Sequence, residues 1–364
     1  MDFKLTEEQE LIQQSIKEFT EQVSDMSTEE VLNSLAEMDF LGIFFPEKVG
    51  GAEGDFTSYI VTLEELAKAS PSAALAYANH LTLAAFSIHK WGTEQIQEKY
   101  LVPLCKGEKI GTFALSEGWP GKDFLAIETT AEKTEDGYTL NGVKTFVHNA
   151  GNSDLYVVFA KTGEELSAFV VEKEMTGVTF GEAYKKMGLE GLPQASMTLM
   201  NVHVPAENLI GTEGQGYEIM KAARSLHSIS LATIAVAISD VALEKSIAYG
   251  KERQQFNRPI IKFEALQEMV GDMVANLEAA KMLTYQAASF KDNEESYAEK
   301  AEIARYFALN TGEKTCLDAI QIHGGYGYSK DLGVEVLLRD LKGLKVFEQL
   351  EKPLVISIAK TKIS

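Results

Sequence analysis

Apolar positions recur at helical spacing from residue 6 to about 107. The first set is Leu11, Ile12, Ile16, Phe19 and Val23, which follow Thr6 and Gln9, a pair spaced for reciprocal capping of a first turn. Further helices are predicted from Ser27 to Met38, Asp55 to Lys68, Pro71 to Lys90 and Thr93 to Leu104, with Ser27, Asp55 and Thr93 as caps. The glycine-bearing stretch Pro46-Glu47-Lys48-Val49-Gly50-Gly51 reads as a loop among them.

Near residue 108 the pattern changes. Val143 to Val147, Leu155 to Ala160 and Ala168 to Val171 are short and rich in β-branched and aromatic residues, as strands are. Asn141-Gly142 predicts a hairpin turn, because both residues accept the positive φ of a type I′ turn. After Pro205 the helical period returns, first through Ile219, Ala222, Leu226 and Ile229, then through Leu266, Met269, Met273, Leu277 and Ala280. Helices beyond about 25 residues joined by short turns predict a bundle. The expected organisation is therefore a helical domain over 1–107, an antiparallel β-barrel or sandwich over 108–206, and a helical bundle over 207–364.

Composition narrows the function classes. The chain has 364 residues and a net charge of −20, from 34 Lys+Arg against 54 Asp+Glu. Such a charge repels nucleic-acid backbones and anionic lipid, and no basic patch offsets it, so neither partner is expected. Any anionic ligand must then be met by a few specific cations. Apolar runs such as Leu231 to Ile238 fall short of the ~20 residues of a spanning helix. The N-terminus lacks a basic start followed by an apolar stretch, and the two cysteines, Cys105 and Cys316, form no CxxC pattern. A cytoplasmic, reducing location is the expectation.

Most common catalytic motifs are missing: GxGxxG between strand and helix, a P-loop, GxSxG, HExxH, or histidines at metal-ligand spacing. What the chain does carry, in order, is Pro46 to Gly51; Ala114-Leu115-Ser116-Glu117 with Gly121 and Asp123; Asn141-Gly142-Val143-Lys144 leading to Asn149; and Lys186-Met187-Gly188. Then come Val204-Pro205 with Asn208, Gly211, Gly214 and Gly216; Glu252-Arg253-Gln254-Gln255-Phe256; Gln321-Ile322-His323-Gly324-Gly325; and Arg339-Asp340. Taken together these segments resemble the acyl-CoA dehydrogenase family of flavoenzymes over nearly the whole chain. The resemblance implies that family's fold: an α-helical N-terminal domain, a middle β-domain and a C-terminal four-helix bundle.

It also implies a chemistry. Family members take a proton from Cα of an acyl thioester with a glutamate, while the Cβ hydrogen leaves as hydride to FAD, giving a trans-2-enoyl thioester. The residue at the family's base position, counted from Arg339-Asp340, is Glu348, and burial of such a carboxyl would raise its pKa toward working pH. Gln349 and Leu350 stand where the family has Gly and Thr. The flavin ring is implied to lie against Leu115, Ser116 and Phe146, with His148 in place of a threonine near flavin N5; a histidine there titrates near neutrality. The adenosine and diphosphate end, which the family takes from a partner subunit, corresponds to Arg253, Phe256, Glu264, Gln321, Gly324 and Gly325. Arg253 supplies a guanidinium fork suited to a diphosphate, and the glycine pair allows close backbone approach.

Substrate positions depart furthest from the family. Ser225 and Ser228 replace an Asp-x-x-Arg, and Lys122 replaces a serine. These replacements open a choice between acyl-CoA and an acyl-carrier-protein thioester. The implied function is FAD-dependent α,β-dehydrogenation with electrons passed to an electron-transfer flavoprotein, by a homo-oligomer, a dimer of dimers as in the family. Two alternatives remain: a flavin oxidase or hydroxylase-like enzyme acting on a carrier-bound biosynthetic substrate, and a catalytically degenerate member serving as a binding or scaffolding subunit.

Overall fold

The helices at the N-terminus begin where side chains can satisfy their first N–H groups. A computed structural model of the chain describes residues 4–118, 127–347 and 351–363. Helix α1 (Glu7–Thr20) opens on the reciprocal pair Thr6 and Gln9, and α2 (Thr28–Glu37) on Ser27 and Glu30. Asp55 caps α3 (Phe56–Ala69) by accepting from Ser58 N at 2.6 Å. Each such cap contributes about 1 kcal/mol. The next helix, α4 (71–91), contains a π-helical stretch, Asn79–Ala85, and α5 (94–105) opens on Thr93.

The sheet follows. Its eight strands are β1 (Gly111–Ala114), β2 (Thr130–Lys133), β3 (Gly137–His148), β4 (Leu155–Thr162), β5 (Glu165–Glu172), β6 (Val178–Phe180), β7 (Gln194–Pro205) and β8 (Leu209–Ile210). They run in the order β6-β7-β3-β2-β4-β5-β8, with β1 on β4. The pairing is antiparallel except for β1 with β4 and one residue pair of β2 with β4.

One turn expected from the sequence is not made. Asn141-Gly142 lies inside β3, which continues to His148 with a register shift against β7 between Leu140 and Gly142. Ladders to β2 and β7 hold the strand extended on both sides, and Asn141 Oδ1 accepts from Asn201 N at 2.8 Å. Glycine is needed there for another reason: a Cβ at 142 would sit 2.3 Å from Thr129 Oγ1. The two-residue hairpin falls instead between β4 and β5, where Thr162 pairs with Glu165 and Gly163 takes φ +63°.

Past Pro205 the chain forms α6 (Gly216–Glu252), α7 (Glu264–Asp292), α8 (Ala298–His323), α9 (Glu335–Phe347) and α10 (Glu351–Ile363). The order of helices, sheet and helices is the architecture expected. By length and composition α6 could cross a bilayer, but 89% of its apolar window is buried within the fold, as in the core helix of a globular protein. Helices α3 and α4 lie on it through Tyr59 Oη to Ser230 Oγ and Thr82 Oγ1 to His227 Nδ1, both 2.8 Å. The loop before β7 is tied to α9, where Leu189 N donates to Asp340 Oδ1 at 2.6 Å.

At that junction Gly188 has no room for a side chain. A Cβ would lie 2.1 Å from Arg339 O and 2.6 Å from Asp340 N, both backbone atoms. Gly188→Ala is expected to cost about 1–3 kcal/mol of stability. A melting temperature within a degree of wild type would show that the junction relaxes at no cost.

Candidate functional site

Two clefts collect seven of the residues singled out from sequence. The first, with a cavity volume of about 60 Å³, lies between the sheet and the helices. Its sheet wall comes from Thr112 and Phe113 of β1, from Leu115 and Ser116 just beyond it, and from Thr145 to His148 of β3. Its helical wall comes from Leu83 of α4 and Arg224 of α6.

The segment after β1 is not in regular structure, yet it is fastened to β3 at several points. Thr145 N donates to Ser116 O at 2.8 Å, and Thr145 Oγ1 to Gly118 O at 2.7 Å. Lys144, with no exposed side-chain surface, reaches Leu115 O at 3.4 Å and Glu117 Oε1 at 2.5 Å. Glu117 also accepts from Glu128 N, Thr129 N and the Thr129 hydroxyl. Burial works to raise the Glu117 carboxyl, but the Lys144 ammonium and these donors outweigh it and hold it below its ordinary range. Burial pushes the Lys144 ammonium down to about 8 against the attraction of Glu117.

Next along β3 the register shifts between Lys144 and Val147, and Phe146 takes φ +54°, unusual for an aromatic residue. Its ring packs on Tyr184 at 4.9 Å between centroids. His148 Nδ1 lies 3.1 Å from Asn79 Nδ2, the first residue of the π-helical stretch that also supplies Leu83. His80, in the same stretch, bridges Leu104 O and Gly111 N and so fixes the start of β1. Burial pushes its imidazole down to about 4, so it is neutral there.

The second cleft, of about 490 Å³, opens where α6 ends and α8 stops. Arg253, Gly324 and Gly325 line it together with Tyr249, His323 and Tyr326, and the Tyr249 and His323 rings stack at 4.4 Å. Gly324 takes φ +57°, and a Cβ on either glycine would meet no atom within 4 Å, so their backbone is open to a ligand. A guanidinium beside bare backbone suits a diphosphate.

Other candidates lie elsewhere. Phe256 is 87% exposed, at φ +51°, between the short strands β9 (Gln254–Gln255) and β10 (Arg258–Pro259). Gln321 and Glu264 are exposed, and none of the three lines either cleft. The Ser225 and Ser228 hydroxyls donate to carbonyls of their own helix, those of Lys221 and Arg224, each at 2.9 Å. Glu348, Gln349 and Lys122 lie outside the described residues. Sequence reasoning missed Arg224, which is adjacent to Ser225 and one turn before Ser228, and it missed Leu83, Thr112, Phe113 and Thr145.

Three family profiles match the chain: "Acyl-CoA dehydrogenase, N-terminal domain" over 6–108, "middle domain" over 112–202 and "C-terminal domain" over 214–348. A short-chain-specific acyl-CoA dehydrogenase of Clostridium acetobutylicum is 37% identical over 363 residues, covering 96% of each chain. A solved structure titled as the electron transferring flavoprotein of Acidaminococcus fermentans superposes with TM-score 0.96 at 37% identity, covering 100% of both chains. A structure titled as the prolyl acyl carrier protein oxidase AnaB superposes with TM-score 0.94 at 28% identity, covering 99% of this chain and 100% of that one.

The Glu117 carboxyl gives the site a testable pH response. Its folded pKa is below the ordinary value of 4.5, so its contribution to stability is complete above that value and is lost as pH falls through the folded pKa. Thermal melts from about pH 6 down to about pH 3 should fall more steeply for wild type than for Glu117→Gln. Parallel curves would remove Glu117 as a source of the acid response.

Proposed function

The chain belongs to the acyl-CoA dehydrogenase family, FAD-dependent oxidoreductases acting on CH–CH groups, and on that premise we propose that it desaturates an acyl thioester between Cα and Cβ. The observation that carries this reading is the first cleft, which brings Leu115, Ser116, Phe146 and His148 onto one wall opposite α6. The residues present suit FAD: an aromatic and hydroxyl-bearing wall for the ring, and Arg253 with the open Gly324-Gly325 backbone for the diphosphate.

In this reading Glu348 removes the Cα proton, which the neighbouring thioester carbonyl acidifies. FAD, when bound, supplies the acceptor for the hydride from Cβ. The chain's own contribution is to fix the groups around these atoms. Helix α9, which leads to Glu348, is held by Arg339 to Met187 O, Glu190 and Glu335, and by Lys342 and Lys345 to Glu313 of α8. Ser116 keeps its place through the Thr145 N–H. The Phe146 ring packs against Tyr184 at one side.

The two clefts also support a two-subunit site. Arg224 and Arg253 bracket most of α6, and at ~1.5 Å per residue they stand about 43 Å apart along it, too far for one dinucleotide to join both clefts of one chain. A homo-oligomer, a dimer of dimers, supplies the second half from a partner, and the exposed Phe256 is placed for such a contact. The buried thiols of Cys105 and Cys316 accord with a cytoplasmic location. The electron acceptor proposed is an electron-transfer flavoprotein, supported by the similarity to the Acidaminococcus structure.

A second reading, an oxidase acting on a carrier-protein thioester, is favoured by the similarity to the prolyl carrier-protein oxidase and by the uncharged Ser225 and Ser228. Reoxidation of the reduced protein by air separates the two: it is slow with product bound for a dehydrogenase and fast for an oxidase.

With FAD bound, Glu348→Gln is expected to lower turnover of acyl-CoA by about 10²–10⁴-fold or more while leaving the flavin spectrum in place. Desaturation by this variant at the wild-type rate would exclude Glu348 as the base, and no desaturation of any acyl-CoA or acyl-carrier thioester by the wild type would overturn the proposed reaction. Arg253→Ala should weaken FAD retention about tenfold or more, since a charge-assisted contact is worth about 1.5–3 kcal/mol. Unchanged retention on dialysis would place the diphosphate elsewhere.

A further inference from the structure

Beside His148, where β3 meets the first cleft, stand two uncharged amides that the proposed reaction does not use. Asn79 of α4 is 2% exposed and holds its Nδ2 3.1 Å from His148 Nδ1. Gln194 is buried and pairs with His148 in the β3–β7 ladder, so the two side chains leave the sheet on the same face. Among the described residues, Asn79 Oδ1 and both amide atoms of Gln194 have no hydrogen-bond partner. Asn79 itself is firmly mounted. It opens the π-helical stretch, whose next residue, His80, is fixed between Leu104 O and Gly111 N, and whose Thr82 hydroxyl meets Ala78 O and His227 Nδ1. An amide carried on that backbone cannot follow a turning ring, so the ring must come to it.

We propose that Asn79 is a positioning residue of the flavin site, which holds the imidazole of His148 in the orientation that meets the flavin ring. The inference rests on the proposed placement of that ring against the sheet wall. The last torsion of a histidine side chain is broad and roughly two-fold, so packing alone leaves two ring orientations with the nitrogen and carbon edges exchanged. A bond to Nδ1 separates them. With the amide as it stands, Nδ2 donates to Nδ1, and the ring hydrogen lies on Nε2, across the ring from Asn79. Gln194 makes no bond to the ring, so of the two amides Asn79 is the one that sets its rotation. The residue type fits the task. A carboxylate at this position would hold the ring equally well but draw a second proton onto it, whereas an amide holds it without adding a charge. A donor set against the flavin in this way stabilises its electron-rich reduced form, so losing the donor lowers the reduction potential.

The test is the two-electron midpoint potential of the FAD-loaded protein, measured without substrate for wild type, Asn79→Leu, His148→Ala and the double variant. Leucine keeps the branched shape of asparagine without its hydrogen bonds, and Asn79→Ala, which cannot overpack the site, runs through the same cycle in case the larger side chain prevents folding. His148→Ala is expected to disfavour the reduced flavin about tenfold, a shift of about 30 mV for a two-electron couple. Asn79→Leu should give a shift of the same sign and similar size while His148 is present, and none once it is absent, since a positioning residue acts only through the group it positions. Equal shifts from the Asn79 variants with and without His148 overturn the inference, because they report a general disturbance of α4. So does an effect of His148→Ala with none from either Asn79 variant. No shift from any variant overturns it too, by placing the flavin ring away from His148. Because no thioester is present, the proposed desaturation is decided by its own turnover assay, and either result can fail without the other.

Discussion

Burying α6 on all sides forces the other elements into place around it, because every residue from Leu226 to Ser239 is nearly inaccessible to solvent. A helix apolar around its whole circumference needs neighbours on every face. Helices α3 and α4 cover one side, α7 and α8 another, and β5 meets its start, where a Cβ on Gly216 would be 2.7 Å from Leu166 O. The polar residues inside this run do not break it. Thr233 donates to Ile229 O and Ser239 to Ala235 O, while Ser230 and His227 meet Tyr59 and Thr82. Each hydroxyl is satisfied locally or by one partner, so burial leaves no stranded donor among them.

The same helix positions the chemistry. Near its start Arg224 enters the first cleft, and at its end Tyr249 and Arg253 form part of the second. One rigid rod therefore fixes the distance between the two clefts. Charge is used sparingly along the way. The chain is acidic overall, and the cations that matter are placed singly: Arg224 and Arg253 in the clefts, Lys144 behind the first of them. Lys144 is the most costly of the three to bury, and Glu117 and Leu115 O repay that burial by holding the segment that carries Ser116.

The sequence was readable wherever local chemistry decides the outcome. Thr6, Ser27 and Asp55 announce helix starts because a side-chain oxygen three residues before an N–H can cap it whatever surrounds it. Leu115, Ser116, Phe146 and His148 were legible through a resemblance that spans the chain, and the fold brings all four into one cleft. Asn141-Gly142 misled for the opposite reason. Its turn preference is local and small, whereas ladders on both edges of β3 are not, and the glycine is required by the close approach of Thr129. Arg224 carries no signal of its own in the sequence beside Ser225 and Ser228, and only the packing of α6 against the sheet shows which face enters the cleft. Nothing in the composition of Asn79 to Ala85 marks a π-helical stretch; it depends on how α4 meets β1 and α6.

That stretch, the positive φ of Phe146 and the buried Lys144 share a property: each is locally unfavourable, and the first two border the first cleft while Lys144 adjoins its lining residue Thr145. Conformations of this kind, which cost of order 1–3 kcal/mol, persist only where surrounding structure over-determines them. Here that structure is the core around α6 and the two ladders of β3. The π-helical stretch places Asn79 against His148, and one turn on its residue Leu83 faces the cleft. Phe146 and His148, two residues apart on β3 beside its register shift, reach the same cavity, while Lys144 grips the opposite segment. A cleft built from such pieces is rigid without being made of regular structure, so the groups that line it are held by the stability of the whole core rather than by their own loops.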